Sequence, residues 1–248
     1  TWLLPVEAAQ TLLPADLAGM QMWQRQGLTP FTALSYQHRH FGPSALRGLR
    51  RLFPSPRQSN WRLYLDAGPA HAPDTRTVLF LKNIMDSTLF TLATRLFSDA
   101  LPTHLPARFV HERSGNALRT SIAPGAGSAP ALEAFLQIAA PDDPQAKQLP
   151  KALAGLFGSW DEAVRFLALQ DAAVAPCIGT EPVQLAFAEI ELPIDVAQVL
   201  PAQAVGEVHC GLLADLPAAL QTSPTFCFVV PQVPCRVLSE CVLPPSTP

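Results

Sequence analysis

Hydrophobic and polar residues alternate with a period of two over residues 31–41, 59–66, 77–84, 107–113, 117–123, 183–191, 205–211 and 225–233. Each run is bounded by Gly, Pro, Asn or Asp, and each predicts a strand. Helical periodicity is rarer. It predicts helices over 44–53, over 131–138 and over 87–98, where Leu89, Leu92, Ala93, Leu96 and Phe97 form a stripe. The clearest covers 159–169, where Ser159 and Glu162 have the spacing of a capping box ahead of Ala163, Phe166 and Leu167. Many short strands and few helices predict an α+β, mainly β chain: an antiparallel sheet closed or curled into a barrel, with peripheral helices.

Proline supports that reading. Its 26 occurrences in 248 residues are about twice the ~5% average usage, which fits strand ends and fixed loops and disfavours a helical bundle. The stretch 124–150 holds Gly125, Gly127 and five prolines. With a helix expected inside it, it reads as a surface excursion within one domain spanning 1–248. There is no internal repeat.

Composition then narrows the function classes. The chain is 48% hydrophobic and 15% charged, with a net charge of −3, so no basic face is available to displace counterions from nucleic acid. Cys177, Cys210, Cys227, Cys235 and Cys241 form no Cys-x-x-Cys pair and sit in apolar runs. They read as reduced thiols in a cytoplasmic protein. Residues 1–20 have no basic start and include Pro5, Glu7, Pro14 and Asp16, a pattern of neither a secretory signal nor a membrane span. The chain opens on Thr1 rather than methionine, so leading residues are expected to have been trimmed.

Candidate chemistry concentrates between residues 59 and 113. Alternation puts Asn60, Arg62, Tyr64 and Asp66 on one strand face and Trp61, Leu63 and Leu65 on the other. That polar face either meets water or lines a cavity, where Arg62 would grip a carboxylate in bidentate fashion and Tyr64 would orient it. Lys82 is one of three lysines, with Lys147 and Lys151. By strict alternation it shares a face with Val78, Phe80 and Ile84, and it either snorkels to solvent or serves as an amine of lowered pKa suited to imine chemistry. His104, held between Pro102 and Pro106, has the fixed placement of a general acid or base, and Arg108, His111 and Arg113 follow it. His38 and His40 share a strand face but have no carboxylate or cysteine at a recognised metal spacing. Arg47, Arg50 and Arg51 lie opposite Leu46, Leu49 and Phe53 on a helix that suits either solvent or an anionic surface. No phosphate loop, Gly-x-Ser-x-Gly elbow or dinucleotide fingerprint occurs. The expectation is a protein without metal or cofactor.

Several segments together resemble the YqjF-like family of the acetoacetate decarboxylase superfamily. They are Leu34-Ser-Tyr-Gln-His-Arg-His-Phe-Gly-Pro43, Ser59-Asn-Trp-Arg-Leu-Tyr-Leu65, the run from Thr77 to Arg95, Leu101-Pro-Thr-His104 with Ala107-Arg-Phe109, and Gly158-Ser-Trp-Asp161. The resemblance implies a cone-shaped antiparallel barrel with an internal cavity and outer helices. Acetoacetate decarboxylases form an imine through a lysine whose pKa is lowered by an adjacent lysine, a standard case of an activated amine. The segment resembling that pair, Leu101-Pro-Thr-His-Leu-Pro-Ala-Arg108, contains no lysine, and Gln58 stands where relatives carry a glutamate.

The resulting expectation is a barrel without acetoacetate decarboxylase activity that binds a small organic acid or carbonyl compound. Asn60, Arg62 and Tyr64 would form the wall, and His104 and Arg108 the mouth. A lyase or hydratase using Lys82 through an imine, or His104 as acid and base, is the alternative. A non-catalytic scaffold with a filled core is a third. An exposed strand edge would favour a homodimer.

Overall fold

The computed structural model describes residues 1–17, 19–38, 55–70, 72–98, 103–125, 129–140, 143, 145–177, 180, 183–221, 223–232 and 236–244, without the side chains of 95–97. The helix expected over 44–53, with Arg47, Arg50 and Arg51, lies outside them, as do His40 and Cys235.

Strands, numbered in chain order, form two sheets. The first runs β1 (Trp2–Pro5), β2 (Leu28–Gln37), β3 (Arg57–Tyr64), β4 (Thr77–Met85), β9 (Ala172–Pro176), β10 (Leu185–Glu191) and β14 (Arg236–Val242), with β5 (Thr103–His104) also on β4. The second runs β13 (Cys227–Val229), β11 (Leu200–Ala204), β8 (Leu132–Ile138), β7 (Ala117–Ala123) and β6 (Arg108–Ser114), with β12 (His209–Cys210) also on β8. The helices are α1 (Val6–Gln10), α2 (Thr88–Phe97) and α3 (Trp160–Ala168).

This differs from a single antiparallel barrel. Among the described residues the two sheets stay separate, and the first is mixed. Strand β4 divides one edge between two parallel partners, β9 at Thr77–Leu79 and β5 at Asn83–Ile84.

Both faces of the first sheet are covered. Toward the second sheet, Trp2, Leu4, Phe31, Trp61, Leu63, Leu79 and Ile84 pack with Phe109, Ile122 and Leu132. On the opposite face Tyr64, Val78 and Phe80 pack with Trp160, Ala163, Val164 and Leu167 of α3 and with Leu153, Leu156 and Phe157 before it. A nine-residue helix is marginal alone; burial of five of its residues is what holds α3.

The local signals of α3 are realised. Ser159 Oγ accepts from Glu162 N at 3.1 Å, while the Glu162 carboxylate accepts from Gly158 N at 2.7 Å. Helix α2 also starts and ends where expected, capped by Ser87, but its burial is inverted. Leu89 and Leu92 are 62% and 55% exposed, whereas Phe90, Thr91 and Thr94 face inward. The threonines are held there by hydrogen bonds, Thr94 Oγ1 to Thr103 Oγ1 at 2.8 Å among them.

Two expectations are overturned. Residues expected as a helix over 131–138 form β8, an interior strand paired with both β7 and β11. The segment 124–150 thus contributes to the second sheet, because strand partners on two sides outweigh the helix preference of Ala, Leu, Glu and Gln. The run 205–211 breaks at Gly206, whose φ of 72° suits a turn, and only His209–Cys210 of it forms a strand.

Replacing Ser159 with Ala should lower the unfolding free energy by about 1 kcal/mol, the usual cost of a lost cap. Urea denaturation at unchanged slope measures it, and an unmoved midpoint would refute the role of the cap.

Candidate functional site

Strand β3 is buried from Gln58 to Tyr64, on both faces. Its register with β4 shifts between Trp61 and Arg62: Trp61 pairs with Lys82, but Arg62 pairs with Phe80. Leu81 is the extra residue of a bulge. Lys82 therefore leaves the face of Val78 and Phe80, where strict alternation places it, and joins Trp61, Leu79 and Ile84 on the face toward the second sheet.

There it lines a pocket of about 290 Å³ with Leu12, Leu13, Pro14, Leu17, Leu79, Phe80, Leu81, Pro176 and Leu212. Lys82 is the one ionisable group in that lining. It has no hydrogen-bond or ion-pair partner among the described residues, and burial pushes its ammonium below the usual lysine value.

His104 pairs with Ile84, so it lies on the same face of the sheet, two residues along β4 from Lys82. Arg108 is exposed at the start of β6 in the second sheet, apart from both.

Asn60, Arg62 and Tyr64 lie on the opposite face, beneath α3 and its surroundings, and are 6%, 2% and 1% exposed. Arg62 donates through Nη2 to the Leu167 carbonyl and through Nε to the Tyr64 hydroxyl at 3.4 Å. Tyr64 in turn donates to the same carbonyl at 2.9 Å and sits 3.0 Å from Thr32 Oγ1. No carboxylate pairs with Arg62 among the described residues. Its charge meets the C-terminal turn of α3, where helix carbonyls lack intrahelical donors and the helix dipole favours a cation.

A second polar network continues along that face. Gln58 Nε2 donates to Asn60 Oδ1 at 3.0 Å and to Asn83 Oδ1 at 2.7 Å. Asn60 Nδ2 donates to the Tyr36 hydroxyl at 3.1 Å, and Asn83 Nδ2 to Thr103 Oγ1 at 2.8 Å. With both Gln58 amide hydrogens committed, its Oε1 accepts from His38 Nε2, which fixes the proton of neutral His38 on that nitrogen. Burial lowers the His38 pKa, against the raising effect of the Gln58 bond. Asn83, Thr94 and Thr103 were not singled out from the sequence, and Gln58 was noted there only for the glutamate it replaces. Their one signal is polar residues set in otherwise apolar strands.

Arg57 ties the sheets together, donating through Nη1 to the Phe109 carbonyl at 2.9 Å while pairing with Asp86 at 3.4 Å. His111, bonded to Thr120 Oγ1 at 2.9 Å, has its pKa lowered by burial and then by Arg57. Among the described residues no three His, Cys, Asp or Glu side chains converge as a metal site. Cys177, Cys210, Cys227 and Cys241 carry no disulfide, and burial pushes the Cys210 thiol up to about 12. No helix of the described residues is long and apolar enough to cross a membrane.

No protein-family model and no curated protein matches the sequence. Solved structures do share its architecture. An acetoacetate decarboxylase from Legionella pneumophila superposes with a TM-score of 0.50 at 12% identity, over 98% of this chain and 79% of that one. The enduracididine biosynthesis enzyme MppR, with HEPES bound, gives a TM-score of 0.49 at 10% identity, over 97% and 82%. An acetoacetate decarboxylase-like enzyme from Sphingomonas wittichii RW1 gives 0.45 at 11% identity, over 85% and 78%. The fold of this chain is similar to that of the acetoacetate decarboxylase from Legionella pneumophila.

Arg62→Ala should destabilise the chain by about 2–3 kcal/mol, because a charged hydrogen bond is lost and the Leu167 carbonyl loses a buried partner. Chemical denaturation reads this without any ligand; a loss below about 0.5 kcal/mol, the range of ordinary surface changes, would contradict the capping role. The histidines give a pH dependence. His38 and His111 have folded pKa values below the ordinary 6.5, so the unfolded chain binds more protons just below that value. Stability is full above it and falls as pH drops through the folded pKa values. Urea midpoints should decline from about pH 7.5 to about pH 5, and a flat profile, or an equal decline in a His38→Gln, His111→Gln double variant, would contradict the assignment.

Proposed function

We propose that this chain binds a small carboxylate- or carbonyl-bearing molecule in the pocket that contains Lys82. One observation carries the reading: among the described cationic side chains, Lys82 alone is withdrawn from full exposure and lacks a partner. Arg57, Arg76, Arg119 and Arg236 pair with carboxylates, Arg62 and Arg25 donate to helix-region carbonyls, and Arg108, Lys151 and Arg165 are exposed. An apolar pocket with one convergent polar group of shifted pKa is the usual form of a small-molecule site. A bound carboxylate would give Lys82 the counter-charge it lacks. The fold likeness supports reading the two sheets as parts of one cone-shaped barrel, with the pocket at the junction between them.

The lowered Lys82 pKa favours a second, catalytic reading on the same residue. The free amine would add to a carbonyl carbon, and loss of water from the carbinolamine would give an imine. His104, on the same sheet face, would supply or remove the proton. No second lysine joins Lys82: Lys147 lies over the Trp160 ring at 5.1 Å and Lys151 is exposed. This supports a role other than decarboxylation through a lysine pair. In this proposal Asn60, Arg62 and Tyr64 brace the sheet from behind rather than touch the ligand, and Arg108 stays outside the site.

Thermal unfolding in the presence of pyruvate, acetoacetate and simple carboxylates tests the proposal. A ligand present at 100 times its Kd stabilises the native state by about 2.7 kcal/mol, and that gain should disappear in Lys82→Ala. An undiminished shift in the variant would place binding elsewhere. Borohydride reduction with a keto acid, followed by mass analysis, should label Lys82 if the imine forms.

A further inference from the structure

We infer that the Lys82 pocket takes an unbranched aliphatic monocarboxylate of medium chain length, its carboxylate on Lys82 Nζ and its hydrocarbon tail along Leu12, Leu17, Leu81 and Leu212. This rests on the binding reading above and assigns its ligand class.

The lining decides the class. Apart from Lys82 it consists of leucines, prolines and Phe80, with no hydroxyl, amide, acid or second cation among its side chains. A compact polar acid would leave its keto or hydroxyl oxygen without a side-chain partner, and such orphaned groups weigh against binding. A methylene meets the opposite situation. Leu12, Leu81 and Leu212 are only partly buried, so a tail laid on them removes apolar surface from water on both sides. Each buried methylene tightens binding by about fourfold.

Size sets the length. At about 30 Å³ per water-sized group, the pocket's roughly 290 Å³ holds on the order of ten non-hydrogen atoms, the number in octanoate. The walls come from four distant parts of the chain: the turn after α1, strand β4, the end of β9 at Pro176 and the turn after β12. A tail seated there bridges the first sheet to the second through contacts the protein alone does not make.

Calorimetric titration of the full chain with acetate, butyrate, hexanoate, octanoate, decanoate, octanol and pyruvate tests this. The affinity should rise about fourfold per methylene up to octanoate and level off by decanoate. Octanol should bind at least about tenfold more weakly than octanoate, as expected for loss of a charged hydrogen bond. Lys82→Gln should abolish the preference for octanoate over octanol, and Leu12→Gln should weaken octanoate while leaving butyrate nearly unchanged. Both variants are compared at unchanged unfolding midpoint, and Leu12→Gln reads the tail contact even where Lys82→Gln fails to fold. Binding of pyruvate and butyrate as tightly as octanoate would overturn the chain-length inference while leaving the acid-binding reading intact. No binding by any acid would overturn both. Equal octanoate affinity in wild type and Lys82→Gln would reveal nonspecific association and overturn the inference.

Discussion

The structure depends on the double burial of the β3–β4 pair. With a helix and turns over one face and a second sheet over the other, no polar group between Gln58 and Tyr64 reaches bulk water, so each must find its partner inside the protein. The two networks are the answer to that constraint. Arg62 and Tyr64 both donate to the Leu167 carbonyl in the last turn of α3, while Gln58 donates to Asn60 and Asn83 and Asn60 donates to Tyr36. The helix-side face is thereby rigid and internally satisfied, which leaves the sheet–sheet face to carry a pocket.

That division also explains why a strand with so functional a composition has a structural part. Asn-x-Arg-x-Tyr on alternating positions suits a ligand cradle and a buried capping network equally well, because both need directional donors on one face. Only the placement of α3 separates the two roles, and α3 is about a hundred residues distant in sequence. Its own formation was legible: a serine cap, a glutamate three residues on and an apolar stripe are all local. Its docking site was not.

Elsewhere the sequence speaks clearly where structure is local and amphipathic and poorly where it is set by neighbours. Strands β3, β6 and β7 form where their alternation places them, and β4 does so apart from its bulge at Leu81. Strand β9 reads Ala-Ala-Val-Ala-Pro and has little intrinsic strand preference, yet Ala172, Ala173 and Ala175 are wholly buried between β4 and β10; small side chains suit that crowded position. Strand β8 shows the same dominance of pairing over propensity, and α2 shows its converse, with leucines left outside because threonines bond inward. The pocket was half legible. Lys82 stands out as a lone cation in an apolar run, but Leu12, Leu17 and Leu212 reach it from segments with no pattern to announce a shared site.

The bulge at Leu81 makes the two faces chemically distinct. Regular alternation along β4 would send Lys82 to the side of Phe80 and Arg62, setting a second cation in a layer where, among the described residues, no carboxylate pairs with the first. Like charges in a dry layer repel strongly. One extra residue removes that conflict by turning Lys82 through the sheet, so that Arg62 caps a helix on one side while Lys82 faces an apolar pocket on the other. The same residue that resolves an electrostatic problem of folding thus places an unpaired amine on the apolar pocket.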